Sequence, residues 1–173
     1  MKTRHALIMA AAIIVSSFVL GGVARTASTS GSTEERLRKL EDTEAIRELL
    51  IAYGRALDKR DFKAYGQLFA QQGSWKGGMG AATGPVNIAK MVQDGFGKMP
   101  PALYENSNHV MTSLAIEVNG DAAQAWSRWL WVVHGADNKP RLERGGHYED
   151  TLVRENGQWK FKHREAYTEI TDQ

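Results

Sequence analysis

The sequence predicts an α+β fold in which three helical segments precede four long antiparallel strands. Apolar residues recur every three or four positions between Leu37 and Leu57, as on one face of an amphipathic helix. From Tyr104 onward the apolar period becomes two, which is typical of half-buried strands. The turn sequences at residues 119–121 and 156–157 divide this second part into hairpins. A curved, mainly antiparallel sheet folded over the helices would bury both patterns.

The first helix is predicted to end at Asp58, where a two-residue corner leads to a short second helix. Asp61 is the better N-cap for that helix, because the apolar spacing starts at the next residue. Asp58 lies at the edge of the apolar stripe, where a carboxylate loses solvation unless it finds a hydrogen-bonding partner. It has no evident structural role and is therefore a candidate functional residue. The apolar positions of the second helix are Phe62, Tyr65, Leu68 and Phe69.

A glycine-rich stretch at residues 73–80 separates the second helix from the third. It predicts a short strand followed by a loop at the rim of a pocket, with Trp75 as one wall. The stretch lacks the Gly-Lys-Ser/Thr ending of a phosphate-binding loop, so we expect no phosphate site there. Pro85 then begins a third helix that covers residues 86–96.

The strands are predicted from residue 109 onward, with later strands over residues 122–134, 141–154 and 159–170. In the first strand, strict alternation places one set of residues on one face, namely Val110, Thr112, Leu114, Ile116 and Val118. The other face carries His109, Met111, Ser113 and Ala115. Trp126 and Trp129 fall on opposite faces of the next strand, so we interpret the tryptophans as core and oligomer contacts.

The N-terminus has the pattern of a secretory signal peptide over residues 1–24. Lys2 and Arg4 precede an uncharged run over residues 6–20, and small residues suited to cleavage end at Ala24. An uncleaved membrane anchor remains the alternative. Residues 25–33 are rich in Ser, Thr and Gly and predict a flexible tether, so the folded domain is expected over residues 34–173. We expect an exported protein, periplasmic or secreted.

Composition excludes several classes of function. The chain has 22 basic and 20 acidic residues, and removal of the leader takes away two basic ones, leaving 20 against 20. A neutral mature protein is not expected to bind nucleic acid or to associate stably with a membrane. The 173 residues contain no cysteine, so neither disulfides nor a lipoprotein anchor is expected. His134, His147 and His163 show no ligand-like spacing, so we expect no metal and no cofactor.

Several segments together resemble a SnoaL-like member of the nuclear-transport-factor-two-like superfamily. They are the helix corner at residues 56–62, the Trp75 strand, Gly84-Pro85, the strand beginning at His109, the turn at 119–121, and the stretches 145–150 and 156–161. The resemblance covers nearly all of residues 34–170. It is nearest to the group of scytalone dehydratase, bile acid 7-alpha dehydratase and hexachlorocyclohexane dehydrochlorinase. That group implies a cone-shaped α+β barrel and a homotrimer.

The resemblance also implies a site. In that group an aspartate at the end of the first helix and a histidine at the start of a central strand form the catalytic pair, and these correspond to Asp58 and His109. Tyr53 matches a tyrosine of the bile acid dehydratase, and His134 matches the spacing of a second histidine in scytalone dehydratase. Either could donate a proton to a leaving group. The residues expected to contact substrate are Trp75, Tyr148, Arg164 and Met111.

The predicted function is that of a cofactor-independent lyase. A neutral histidine oriented by a carboxylate is a competent base near pH 7, and in an apolar pocket it suits proton abstraction from carbon followed by loss of a neighbouring group. The expected ligand is a small hydrophobic or aromatic molecule. A non-catalytic ligand-binding or assembly domain, or an isomerase using the same base, remains the alternative, because members of one fold differ widely in activity. We expect a homo-oligomer, since three helices cannot cover every tryptophan-bearing strand face.

Overall fold

The computed structural model of the chain describes residues 31–100, 107–135, 137 and 139–171. The predicted signal peptide and most of the predicted tether lie outside the described residues. Over the described part, three helices and six strands give the predicted α+β fold. The helices are α1 (Thr33–Asp58), α2 (Phe62–Gln67) and α3 (Pro85–Gly97). The strands are β1 (Phe69–Gly77), β2 (Gly80–Thr83), β3 (Asn108–Asn119), β4 (Ala122–His134), β5 (Pro140–Glu155) and β6 (Gln158–Thr171).

Helix α1 begins with a capping box. The Ser32 hydroxyl accepts a hydrogen bond from the backbone N–H of Glu35, whose carboxylate in turn accepts from the backbone N–H of Ser32. The predicted tether therefore ends earlier than expected, because Ser32 and Thr33 cap and begin the helix. Asp61 is the N-cap of α2 and accepts from the backbone N–H of Ala64 at 2.9 Å, as predicted.

The apolar stripe of α1 is buried only along its later turns. Leu37 and Leu40, which the sequence pattern assigned to the stripe, are 54% and 68% exposed. From Ile46 onward the stripe is buried against the rest of the fold. A helix of this length extends roughly 39 Å. Its first turns therefore extend beyond the parts of the fold that cover its later turns.

The sheet has the strand order β2-β1-β6-β5-β4-β3. The last four strands form the predicted antiparallel meander, whereas β1 pairs parallel to β6. The segment after β1 was predicted as a loop, but it returns as β2 and closes a short hairpin. The predicted second helix also stops earlier, because Phe69 is the first residue of β1.

A β-bulge in β3 overturns the predicted alternation of that strand. The register shifts between Thr112 and Ala115, and Ser113 has a positive φ of 53°. The extra residue moves the following side chains to the other face. Val110 lies before the bulge and is exposed at 45%. The apolar residues after the bulge instead share the inner face with His109. The prediction of a single apolar face through β3 was therefore wrong.

The core lies between the helices and the inner face of the sheet. Helix α1 packs against β3, and α2 packs against α3. Trp129 and Trp131 of β4 both face this core, whereas Trp126 faces the other side of the sheet. No helix of the described residues combines the length and apolarity that crossing a bilayer requires.

Candidate active site

The C-terminus of α1 fixes the position of Asp58. The backbone N–H of Arg60 donates to the Leu57 carbonyl, and that of Asp61 donates to the Ala56 carbonyl, both at 3.0 Å. This pair of hydrogen bonds is a Schellman motif, with Arg60 in the left-handed position at φ 58°. A non-glycine residue is strained there by roughly 1–2 kcal/mol, so other contacts must hold it.

The Arg60 side chain supplies those contacts. Its guanidinium donates to the Leu57 carbonyl at 2.6 Å and to the Ser107 hydroxyl at 2.9 Å, and it lies 4.6 Å from the ring centre of Phe96. Ser107 immediately precedes β3. Arg60 therefore connects the end of α1 to the start of the strand that carries His109.

Asp58 and His109 form the predicted pair. Oδ1 of Asp58 lies 2.7 Å from Nδ1 of the His109 ring and also accepts the His109 backbone N–H at 2.9 Å. A carboxylate oxygen can only accept, so the ring carries a proton on Nδ1, and in the neutral ring the lone pair is on Nε2. Among the described residues no group hydrogen-bonds to Nε2. The His109 side chain is 8% exposed and that of Asp58 23%.

His109 forms part of the wall of an apolar cavity of about 150 Å³. The large side chains around it are mostly aromatic: Tyr53, Trp75, Phe96, Trp129, Trp131 and Tyr148. Their elements are α1, β1, α3, β4 and β5, so the cavity lies inside the cone between helices and sheet. The exposed lining residues Gly78, Arg144 and Thr168 mark its opening.

Tyr53 is buried at the centre of a hydrogen-bond network. Its hydroxyl oxygen accepts from the Tyr65 hydroxyl at 2.8 Å and from the Trp75 indole N–H at 3.0 Å. Those two bonds occupy both lone pairs, which leaves the hydroxyl proton of Tyr53 for its side-chain hydrogen bond with Tyr148. Burial raises the pKa of Tyr148, whose ring lies 5.3 Å from that of Tyr53, well above its ordinary value. Tyr148 is therefore a neutral hydroxyl at the cavity wall.

Arg164 lies behind the cavity wall rather than in it. Its guanidinium is fully buried and forms two hydrogen bonds to Asp150, at 2.7 and 2.6 Å. It also packs 4.0–4.2 Å from the ring centres of Tyr53, Tyr148 and Phe161. Burial acts to lower the pKa of Arg164, but the Asp150 carboxylate outweighs burial and raises it. Arg164 therefore supports the aromatic wall from behind, whereas we expected it to contact the ligand directly.

Two further predicted residues lie in a separate polar groove. His134, which is exposed, and Met111 border this groove together with Asp58 and His109. Neither His134 nor Met111 lines the apolar cavity. Met111 instead faces Gly54 of α1, where a Cβ would come within 3.3 Å of its Cγ. The structure thus brings Tyr53, Trp75 and Tyr148 to the cavity beside the dyad, and leaves His134 and Met111 outside it.

The cavity also contains residues that sequence reasoning missed, above all Trp131 and Arg144. Trp131 stacks beside the His109 ring at 6.1 Å, and it is the register partner of His109 in β3 and of Arg144 in β5. Counting back from the Asn119 turn without a bulge would have paired His109 with Val132 instead. The available signal was the shared face of Trp129 and Trp131, but we interpreted the tryptophans as core and oligomer contacts.

The described residues contain no group of three or more His, Asp or Glu side chains that could hold a metal ion.

Solved structures of similar fold come from several proteins. A cystatin-like-fold NTF2-like protein from Novosphingobium aromaticivorans is 28% identical, with a TM-score of 0.69 over 77% of this chain and 85% of that one. A protein from the same organism assigned as a scytalone dehydratase is 25% identical, with a TM-score of 0.65 over 78% and 89%. LinA is 25% identical, with a TM-score of 0.67 over 78% and 90%.

No curated protein matches the sequence. The family model of the SnoaL-like domain matches residues 38–165, which include the dyad, the cavity walls and the buried Arg164. The predicted fold and resemblance are thereby confirmed, and the chain belongs to the SnoaL-like domain family.

Proposed function

We propose that this protein is a cofactor-independent lyase that eliminates a group from a small hydrophobic or aromatic molecule. The observation that carries the proposal is the 2.7 Å bond between Asp58 and Nδ1 of His109, which leaves Nε2 free in a residue of the cavity wall. Proton abstraction from carbon requires a base of this kind, in which one ring nitrogen is hydrogen-bonded to the protein and the other can accept a proton.

The first part of the proposed reaction belongs to His109. Nε2 takes a proton from a carbon of the bound molecule, and the electrons of that C–H bond form a C=C bond to the neighbouring carbon. The bond from that neighbour to its leaving group breaks, and the group departs with its electrons. Asp58 stabilises the imidazolium formed in this step and keeps the ring in the productive tautomer. Positioned base catalysis of this kind contributes roughly 100- to 10,000-fold.

Tyr53 is the proposed proton donor to the leaving group. Both of its lone pairs accept hydrogen bonds, which polarises its own O–H bond in the same direction. The position of Tyr53 in the cavity wall supports this role over one for His134, which borders only the polar groove. A departing hydroxide would leave as water with the Tyr53 proton, whereas a halide would need none.

One of the structural relatives supports elimination as the reaction type, and a second shares the fold. One is assigned as a scytalone dehydratase, and another is named a hexachlorocyclohexane dehydrochlorinase. The latter is 22% identical, so its likeness carries the fold alone. An isomerase would use the same base and return the proton to a different carbon, and a binding domain would use neither residue. The experiment must separate these three.

Proton abstraction can be measured before the natural substrate is identified. We expect the purified protein, incubated in D₂O with aromatic compounds that carry a hydroxyl or halide next to an acidic C–H, to give new olefinic signals in proton NMR spectra. Incorporation of deuterium without loss of the leaving group would support isomerisation instead. The absence of both changes with all of these compounds would support the binding-domain alternative.

The variant that tests the base is His109→Asn. Its amide N–H can replace the ring Nδ1–H in the bond to Asp58, so the site keeps its hydrogen bond but loses Nε2. Turnover should fall about 100- to 10,000-fold while the melting temperature changes little. His163→Asn is the matched control, because His163 contacts Ser74 and Glu165 and lies outside the cavity. Equal activity in the two variants would refute the proposal.

A further inference from the structure

The apolar cavity has an uneven distribution of charge and hydrogen-bonding groups. None of its described lining residues is an aspartate or a glutamate. Three of them carry nitrogen groups that find no partner on the cavity side: the indole of Trp131, the guanidinium of Arg144, and Nε2 of His109. The described lining thus offers no carboxylate to a cation, but two N–H donors to an anion.

The Trp131 indole is the more informative of these donors. The residue is 4% exposed, and its Nε1–H is fully buried without a hydrogen-bond partner among the described residues. Buried polar groups are almost always satisfied, so a buried donor left alone needs an explanation. By contrast, the indoles of Trp75, Trp129 and Trp159 all donate to protein acceptors. Trp131 is thus the core tryptophan whose donor is left for another molecule.

Arg144 lies directly across the strand pair from Trp131. The two residues are register partners in β4 and β5, and both line the cavity. Arg144 is exposed and makes no ion pair or hydrogen bond with any described residue. An arginine at the opening of an apolar cavity, with no carboxylate of its own, attracts anions into that opening and can bind a carboxylate with two parallel hydrogen bonds.

From this pairing we infer that the cavity takes a monocyclic aromatic carboxylate, with its ring among the tryptophans and its carboxylate between Arg144 and the Trp131 indole N–H. The size agrees, because an apolar cavity of about 150 Å³ holds one benzene ring. The inference names the substrate class for the proposed lyase and rests on that function only in calling the molecule a substrate. Binding itself can be tested without turnover.

The test compares 3-phenylpropionate with 3-phenylpropionamide, which share a ring and chain length but differ in charge. Isothermal titration calorimetry of the full chain should show the carboxylate binding at least about tenfold more tightly than the amide. Arg144→Gln should remove that preference without changing amide affinity. Arg128→Gln is the matched control, because Arg128 is an exposed arginine of β4 that lies outside the cavity and pairs with Glu169. It should leave both affinities unchanged.

The Trp131 indole has its own readout. In a ¹⁵N-labelled sample, its indole N–H resonance, assigned by its loss in Trp131→Phe, should shift downfield when 3-phenylpropionate binds, as expected for a new hydrogen bond. Equal affinity of the two probes, an unchanged preference in Arg144→Gln, an unmoved Trp131 resonance, or no binding at millimolar concentration would each overturn the inference. Binding of aromatic carboxylates that do carry a hydroxyl or halide next to an acidic C–H, without deuterium exchange or elimination, would instead refute the lyase and leave the binding inference standing.

Discussion

Two carboxylate pairs near the same cavity differ in what they leave unsatisfied. Asp150 uses both of its oxygens on Arg164, and both side chains are 0% exposed. Asp58 uses one oxygen for both of its bonds to His109, is 23% exposed, and leaves its partner with a free nitrogen. The first pair is closed to solvent and leaves the buried Nη1 of Arg164 without a partner among the described residues, whereas the second has a partly exposed carboxylate and leaves Nε2 of His109 at the cavity wall.

This difference indicates a structural role for the Asp150–Arg164 pair and a chemical role for the Asp58–His109 pair. A buried bidentate pair holds the aromatic wall in place, but removal of one partner leaves the other as an unpaired charge in the core. A pair whose carboxylate is partly exposed costs less to desolvate and keeps a ring nitrogen next to the cavity. We therefore expect changes at Asp150 to act on the free energy of unfolding, and changes at Asp58 to act on turnover. Substitutions at these pairs and at their neighbours test whether stability and turnover depend on different residues.

Asp150→Ala should lower the free energy of unfolding by about 3–5 kcal/mol, because Arg164 would remain as an uncompensated buried charge. Urea denaturation followed by circular dichroism measures this loss. The double change Asp150→Leu with Arg164→Met should recover most of it, since two apolar groups need no partner. A loss below about 1 kcal/mol in the single variant, a value typical of exposed pairs, would show that the two pairs do not differ as claimed.

Asp58→Asn should reduce turnover by about 100- to 10,000-fold, because an amide neither selects the Nδ1–H tautomer nor stabilises the imidazolium. Its free energy of unfolding should change by only about 1 kcal/mol, since the carboxylate is partly exposed. The double variant with His109→Asn should be no slower than the worse single variant, because the two residues act as a unit. Additive losses in steady-state kinetics would contradict this.

Tyr53→Phe should cost about tenfold in turnover, because water can protonate the leaving group in its place. It should also lower the free energy of unfolding by about 1–3 kcal/mol, since the Trp75 and Tyr65 donors lose their shared acceptor. Tyr65→Phe is the matched control, as it removes one donor to Tyr53 but no residue of the cavity wall. If Tyr65→Phe proves the slower of the two, Tyr53 is not the proton donor.

A third pair, Asp42 with Arg154, should affect how the stability of the fold changes with pH. Burial acts to raise the pKa of Asp42, but hydrogen bonds from Arg154 and Trp159 overcome it and lower the pKa. A lowered carboxyl pKa stabilises the fold above about pH 4, and that contribution is lost as the pH falls through the lowered value. Melting temperatures should therefore decline less steeply below pH 4 in Asp42→Asn than in the parent. Parallel declines would remove Asp42 from the acid response.

The elements of this fold could be predicted because they depend on local patterns. The end of α1 at Asp58, the cap at Asp61 and the hairpin at Asn119 all follow from short-range spacing and turn chemistry. The dyad came from resemblance together with the position of Asp58 at the edge of the apolar stripe. The bulge at Ser113 could not be predicted, because a residue with positive φ in a strand has no distinctive sequence signal when it is not glycine.

The composition of the cavity was decided by tertiary structure alone. The sequence by itself determined which residues are apolar, where helices begin and end, and that Trp129 and Trp131 share a strand face. It did not determine that the bulge would bring Trp131 opposite His109, or that Arg164 would lie behind Tyr53 instead of beside the ligand. Secondary structure follows from contacts a few residues apart, whereas a cavity depends on which faces of distant elements meet and on a one-residue register shift between two strands.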